Sequence, residues 1–142
     1  NREIAIIHQG RDAIAFFYIK LKNESDVDML MTGPLLDRTL KRLDELYEQH
    51  GADLGHYFRF VHNAMKVIAS SSHCEDTHIR IYRSLFSDDE LLLIFYNCLS
   101  SRGKPMIEYV LKFDIFHNLP KNRLIRKEHE RLLDDMMAGM LR

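Results

Sequence analysis

The stretch SDDELLLIFYNCLS, residues 87–100, decides the fold of this chain. Ser87 with Glu90 three residues later is a capping box, in which each side chain accepts a hydrogen bond from the other residue's backbone N–H. The acidic residues of the first turn also suit the positive end of a helix dipole. Residues 91–99 are apolar nearly all round, and a helix of that composition is buried on every side. We therefore predict a central buried helix at about residues 88–101.

Helical periodicity continues on both sides of this central segment. Apolar residues recur at three- and four-residue steps in further segments, at about residues 3–22, 35–50, 53–69, 78–86, 105–117 and 121–140. We expect Gly51 to end the second of these, and the polar residues 23–34 to form a loop. No long alternation of apolar and polar residues indicates a strand. The sequence thus predicts an all-α fold, a compact bundle of about six or seven helices around the central one, in a single domain spanning residues 1–142.

Composition and charge are those of an ordinary globular protein. Of the 142 residues 46% are hydrophobic, and 20 basic against 21 acidic side chains give a formal net charge of −1. That balance argues against a protein that coats nucleic acid, and no DNA-binding signature is present. The two cysteines form no disulfide framework, no signal peptide is visible, and no apolar stretch is long enough to span a bilayer. We expect a cytoplasmic protein.

Familiar catalytic and cofactor signatures are missing from the sequence. It has no glycine-rich phosphate loop, no pattern of paired cysteines, no nucleophile elbow and no His-Glu-x-x-His helix. Residues 73–78, HCEDTH, concentrate possible metal ligands but lack a second pair at matched spacing, so we interpret them as a polar loop. We expect neither a cofactor nor a metal.

Two arginines are placed where a site or a buried ion pair is expected. Arg59 shares one helical side with His62 and Lys66, and such a stripe either holds a phosphate or carboxylate or is a solvated helix face. Arg11 lies on an apolar helical stripe, with Arg83 as its possible companion. A charge facing a core either pairs with a carboxylate or serves a functional cleft.

An Arg-x(4–6)-His spacing is typical of small helical HEPN ribonucleases. In a chain rich in both residues, chance produces such pairs, so the spacing alone carries no weight. Two pairs fit it: Arg2 with His8, and Arg123 with His129. For a ribonuclease, Arg59 with His56 or His62 is the better pairing, with His as general acid or base and Arg steadying the phosphate charge.

Several segments together resemble the putative phage abortive-infection (AbiC-like) family. In chain order they are GRDA at 10–13, GHYFR at 55–59, YRSLFS at 82–87, ELLLIFYNCLS at 90–100 and FDIFHNL at 113–119. The resemblance implies a role in bacterial defence, in which an infected cell stops growing or dies before phage matures. Many relatives look like two N-terminal membrane spans followed by a cytosolic helical domain. We therefore expect a membrane to be reached only through segments outside this chain.

The resemblance also marks a set of polar positions. Together with His62 they form our candidate binding cleft: Arg11, His56, Tyr57, Arg59, His62, Arg83, Tyr96 and Asn97. Asn97 lies within the buried helix, where its amide must find partners. We expect Arg59 or Arg83 to supply them.

Three functions remain open. The leading hypothesis is a non-enzymatic sensing or effector module with a polar arginine cleft. The first alternative is a HEPN-like ribonuclease acting on RNA as a dimer. The second is a protein–protein adaptor that works through the Met-rich C-terminal helix, although that helix can equally dock on its own core. A protein partner or self-association is expected, and RNA is a further possible partner. The candidate residues of the partner helix are Ile125, Leu132, Met136 and Met140.

Overall fold

Six α-helices form the fold in a computed structural model of the chain, which describes residues 11–27 and 35–140, without the side chains of residues 11, 12, 24–27 and 35. They are α1 (Arg11–Val27), α2 (Leu35–Ser70), α3 (Asp76–Ser84), α4 (Asp88–Leu99), α5 (Ile107–Lys112) and α6 (His129–Met137). Short 3₁₀ turns lie at Lys104–Met106, Ile115–Asn118 and Lys121–Arg123. No strand occurs in these residues, so the predicted all-α class is confirmed.

Helix α4 lies at the centre of the core, as predicted. Residues 90–98 are all buried. The capping box is present: the Ser87 hydroxyl accepts from the Glu90 N–H at 3.2 Å, and the Glu90 carboxylate accepts from the Ser87 N–H at 2.7 Å. The helix ends at Leu99 rather than near residue 101, because Ser100 has extended backbone angles. Helices α1 and α2 pack against α4 and against each other.

Helix α2 covers the two segments for which we predicted separate helices. Its backbone leaves the helical region at one residue, His50, with φ −132° and ψ 28°, and then resumes. The predicted break between two helices is therefore confirmed as a kink at His50, although Gly51 does not adopt the left-handed backbone conformation of a glycine cap. The His50 ring packs on Phe17 of α1 at 5.1 Å between centroids, so a tertiary contact holds the kinked residue.

Three further boundaries differ from the sequence predictions, the first being the end of α5, which stops at Lys112 rather than near residue 117. Helix α1 continues to Val27, so the predicted loop is wrong for residues 23–27, because polar side chains alone do not stop a helix. Residues 3–10 and 28–34 of the predictions lie outside the described part. The predicted helix at 121–140 is wrong in its first half, since α6 begins only at His129. Before it, Ile125 is buried and gives its backbone N–H to the Tyr96 hydroxyl at 2.9 Å, outside any helical hydrogen-bond pattern.

Gly103 lets the chain turn tightly against the end of α4. A Cβ atom at this position would lie 2.7 Å from the amide nitrogen of Cys98 and still closer to the Asn97 carbonyl group. No side chain fits there, and this close approach places Arg102 and Met106 beside α4. Across the described residues, no helix is long and apolar enough to cross a bilayer.

Candidate functional site

A cleft of about 180 Å³ opens along the kinked helix α2 and the end of α4, and we call it the α2 cleft. At about 30 Å³ of liquid volume per water molecule, it has room for roughly six waters or one small polar group. Its lining residues come from both sides of the kink, from α4 and from the turn that follows α4. They are Tyr47, Gly55, Phe58, Arg59, His62, Asn97, Arg102 and Met106.

The amide of Asn97 forms a buried polar part of this cleft. Asn97 is 2% exposed, and its Oδ1 accepts a hydrogen bond from the Tyr47 hydroxyl at 2.9 Å. Its Nδ2 donates to the Met106 sulfur at 3.5 Å. Burial raises the pKa of Tyr47 to about 12, so the phenol stays protonated and remains a donor at neutral pH. The expectation that Arg59 or Arg83 satisfies Asn97 is therefore wrong.

Arg102 is a cleft residue that the sequence analysis did not identify. Its guanidinium lies over the Tyr47 ring, 4.2 Å from the ring centroid, and forms an ion pair with Asp44. The one available signal in the sequence was its position between the apolar run that ends at Leu99 and a glycine, Gly103. Stacking on Tyr47 joins two parts of the chain that are far apart in sequence, and no local pattern reports it.

Arg59 and His62 are brought together at this cleft, as their helical spacing predicted. Arg59 is exposed and makes no hydrogen bond or ion pair with any residue that the structure describes. The Nε2 of His62 is shielded from solvent and has no hydrogen-bond partner, while its ring packs on Tyr109 at 5.6 Å. Burial lowers the pKa of His62, with Lys66 acting in the same direction and Glu108 opposing, so the ring favours the neutral form.

Arg83 lies outside the α2 cleft. It is 19% exposed, and its guanidinium is 3.5 Å from the Asp114 carboxylate and 3.5 Å from the Phe113 carbonyl. This is the structural ion pair that the sequence analysis held open as the alternative. Of the predicted grouping, Arg59 lines this cleft and Arg83 does not, while the side chain of Arg11 lies outside the described residues, so its part of the prediction is untested.

Tyr96 is a structural residue of the core. Its hydroxyl accepts from the Ile125 N–H and shares a hydrogen bond with His129 Nδ1 at 2.8 Å. Burial raises the pKa of Tyr96 above its ordinary value of 10.0. Of the two remaining candidates, His56 is exposed and Tyr57 is half-buried against Phe58, and neither lines the cleft.

The Arg123–His129 pair has other partners in the structure. Arg123 donates to Asp89 at 2.6 Å, and His129 is 2% exposed and bonded to Tyr96. Arg123 thus belongs to a partly exposed ion pair and His129 to the core, and Arg2 with His8 lies outside the described residues.

The partner-helix candidates mostly pack inward. Ile125 and Met136 are buried and Leu132 is half-buried, whereas Met140 is 71% exposed. The adaptor hypothesis stays a prediction, with Met140 as its exposed residue. In the HCEDTH segment, the Glu75 N–H donates to His78 Nδ1 at 3.0 Å and helps to cap α3. The described residues contain no group of three or more potential metal ligands placed to hold an ion.

Comparison with known proteins identifies a family. A sequence model of the family described as putative phage abortive infection protein matches residues 49–124, which is more than half of the chain. The matched region contains every lining residue of the α2 cleft except Tyr47. No curated protein and no solved structure matches the chain.

Proposed function

We propose that this chain, which belongs to the putative phage abortive infection protein family, acts in that response as a binding module through the α2 cleft. An anionic group that binds there reports infection, and the toxic output is made elsewhere. The observation that carries the proposal is that Arg59 has no ion pair or hydrogen bond with any described residue and lines the same cleft as His62, whose shielded Nε2 has no partner among those residues either.

Arg59 differs from four other arginines in having no carboxylate partner, and from the exposed Arg80 and Arg131, which also have none among the described residues, in lining the cleft. Arg42, Arg83, Arg102 and Arg123 each form an ion pair with a carboxylate. Arg59 forms none with a described residue although it lines a concave surface. A guanidinium presents five N–H donors in a rigid fork that matches the oxygens of an anion. An unpaired arginine on a cleft is therefore a ready anion site.

The chemistry of the lining favours binding over reaction. Among the described residues that line the cleft there is no carboxylate, serine, threonine or cysteine. The Tyr47 hydroxyl is engaged with Asn97, and its raised pKa keeps it protonated at neutral pH, so it cannot serve as a general base there. What the lining does supply is donors for hydrogen bonds to a negatively charged ligand.

A phage challenge of bacteria that express the chain in its natural protein tests this proposal. We expect Arg59→Ala to abolish protection, measured as efficiency of plating, because the cleft loses its unpaired cation. Arg131→Ala is the matched control, since Arg131 is an exposed arginine on α6 that does not line the cleft. Protein levels and circular dichroism must be unchanged in both variants. Full protection with Arg59→Ala would contradict the proposal.

A ribonuclease is the second candidate, because Arg59 and His62 line the same cleft. A histidine beside an arginine supplies a general acid or base and a charge that stabilises a phosphorane-like transition state. Total-RNA integrity in infected cells separates the two functions. RNA that is cut only when Arg59 and His62 are intact favours the ribonuclease, whereas intact RNA with protection lost in Arg59→Ala favours binding.

A further inference from the structure

We infer that the ligand of the α2 cleft is the dianionic phosphate of a phosphate monoester. This inference rests on the proposed function, because it specifies what the binding module recognises. Three properties of the cleft favour this ligand: its charge, the placement of its hydrogen-bond donors and its volume.

The charge of the cleft selects an anion. Two of its lining residues, Arg59 and Arg102, carry a positive charge, and no described lining residue is acidic. Asp44 compensates Arg102 from outside the lining, whereas Arg59 has no compensating carboxylate among the described residues. The cleft therefore keeps an unneutralised positive charge when it is empty, and an anionic ligand would neutralise it.

The donors come from two walls, which favours phosphate over carboxylate. Arg59 and His62 lie on α2 after its kink, and Arg102 lies on the turn that follows α4. A carboxylate is planar and is satisfied along one edge by a single arginine fork. A phosphate monoester presents three terminal oxygens in different directions, so it accepts hydrogen bonds from both walls at once.

His62 adds a donor that needs a partner. Its Nε2 is shielded and unbonded, and its Nδ1, which is not shielded, also makes no hydrogen bond within the described residues. A neutral imidazole that holds its proton on Nδ1 donates one hydrogen bond toward an anion. A bound phosphate oxygen would accept from this Nδ1–H, whereas the shielded Nε2 would keep no partner among the described residues.

The size and the aromatic packing select a phosphate group rather than a nucleobase. A volume of about 180 Å³ is below the roughly 300 Å³ at which pockets begin to hold drug-sized molecules. Arg102 already covers the Tyr47 ring, and Phe58 is buried between Tyr47 and Tyr57. No open aromatic face is left in the described lining for a base to stack on. The ligand thus inserts its terminal phosphate and leaves its remainder outside.

A terminal monoester also fits better than a phosphodiester. A diester has two terminal oxygens instead of three, and its chain continues in both directions from the phosphorus. The cleft would then contact fewer oxygens and would have to admit two substituents. A site for a terminal monoester therefore differs from a site that binds the phosphodiester backbone of a nucleic acid.

Isothermal titration calorimetry of the full chain with four probes tests the inference. The titrations are made at constant ionic strength and at about pH 8, where phosphate monoesters are dianions. The probes are inorganic phosphate, methyl phosphate, dimethyl phosphate and acetate. We expect saturable binding of the first two and at least about tenfold weaker binding of the others. Arg59→Ala should weaken phosphate binding about tenfold or more, and Arg131→Ala should leave it within about twofold.

Four results would overturn the inference, and the first is that phosphate does not bind. Acetate binding as tight as phosphate would assign the cleft to a carboxylate, and dimethyl phosphate binding as tight would assign it to a nucleic-acid backbone. Equal weakening by Arg59→Ala and Arg131→Ala would show attraction to surface charge alone. The phage challenge is independent of these titrations. If Arg59→Ala loses protection while phosphate does not bind, the proposed function stands and the assignment of phosphate as the ligand is wrong. If phosphate binds but Arg59→Ala still protects, the phosphate site stands and the proposed function is wrong.

Discussion

Gly103→Ala should destabilise the protein through a single methyl group. The glycine sits where the chain turns back on the end of α4, and its amide donates to the Ser100 carbonyl at 3.2 Å. An added Cβ would lie 2.7 Å from the amide nitrogen of Cys98 and closer still to the Asn97 carbonyl group. Both contacts are with backbone atoms of a buried helix, so no flexible side chain can yield.

The expected loss of unfolding free energy depends on how far the backbone must move to make room for the methyl group. Real Cβ atoms essentially never approach another heavy atom within 3.0 Å, so the turn must move away from α4 as a unit. That movement disturbs Met106 and the Asn97 amide that donates to it. Overpacking of a core costs typically 1–3 kcal/mol, and we expect about 3 kcal/mol here because the clash is with backbone on one side. For a domain of this size the melting temperature should fall by roughly 10 °C.

Thermal and urea unfolding followed by circular dichroism measure this change, and Gly55→Ala is the matched control. Gly55 lies within α2, and an added Cβ there would meet nothing within 4 Å. Since alanine is the better helix former by about 1 kcal/mol, Gly55→Ala should raise the unfolding free energy slightly. If Gly103→Ala proves as stable as Gly55→Ala, the close approach of this turn to α4 is wrong.

Two further predictions concern buried polar groups. Tyr47→Phe removes the donor to Asn97 Oδ1 and should lower the unfolding free energy in urea by about 1–2 kcal/mol, whereas an unchanged value would mean that Asn97 has another partner. Burial lowers the pKa of His129 below its ordinary 6.5, so the unfolded state binds a proton more readily than the folded state. The unfolding free energy should therefore fall as the pH drops through about 6.5. Urea titrations at a series of pH values should show a weaker pH dependence for His129→Gln, and the same pH dependence in both proteins would refute the prediction.

The parts of the fold that the sequence predicted are those fixed by local signals. The start of α4 follows from Ser87 and Glu90, which are three residues apart, and its burial follows from its own composition. Arg59 and His62 share a helical side for the same reason, and the structure brings them to one cleft. Each of these features depends on neighbours within one or two helical turns.

The parts that sequence reasoning missed depend on distant partners. The break in α2 was predicted, but the packing of His50 on Phe17 of another helix at that break was not. The backbone N–H of Ile125 leaves the predicted helix because a hydroxyl of α4 accepts it, 29 residues away in sequence. Arg102 lies on the cleft because it stacks on the ring of Tyr47. Helical periodicity carries no information about such pairings.

The position of the α2 cleft at the kink connects binding to the shape of the helix. Tyr47, on whose ring Arg102 lies, comes before the kink at His50, and Arg59 comes after the kink. A phosphate held by both arginines would bridge the two halves of α2 and would favour the kink angle at which both reach it. A ligand shifts a conformational equilibrium only by its difference in affinity between the states, so a ligand that contacts one half alone would leave the kink unchanged. Because the His50 ring packs on Phe17, a change of this angle would also act on α1.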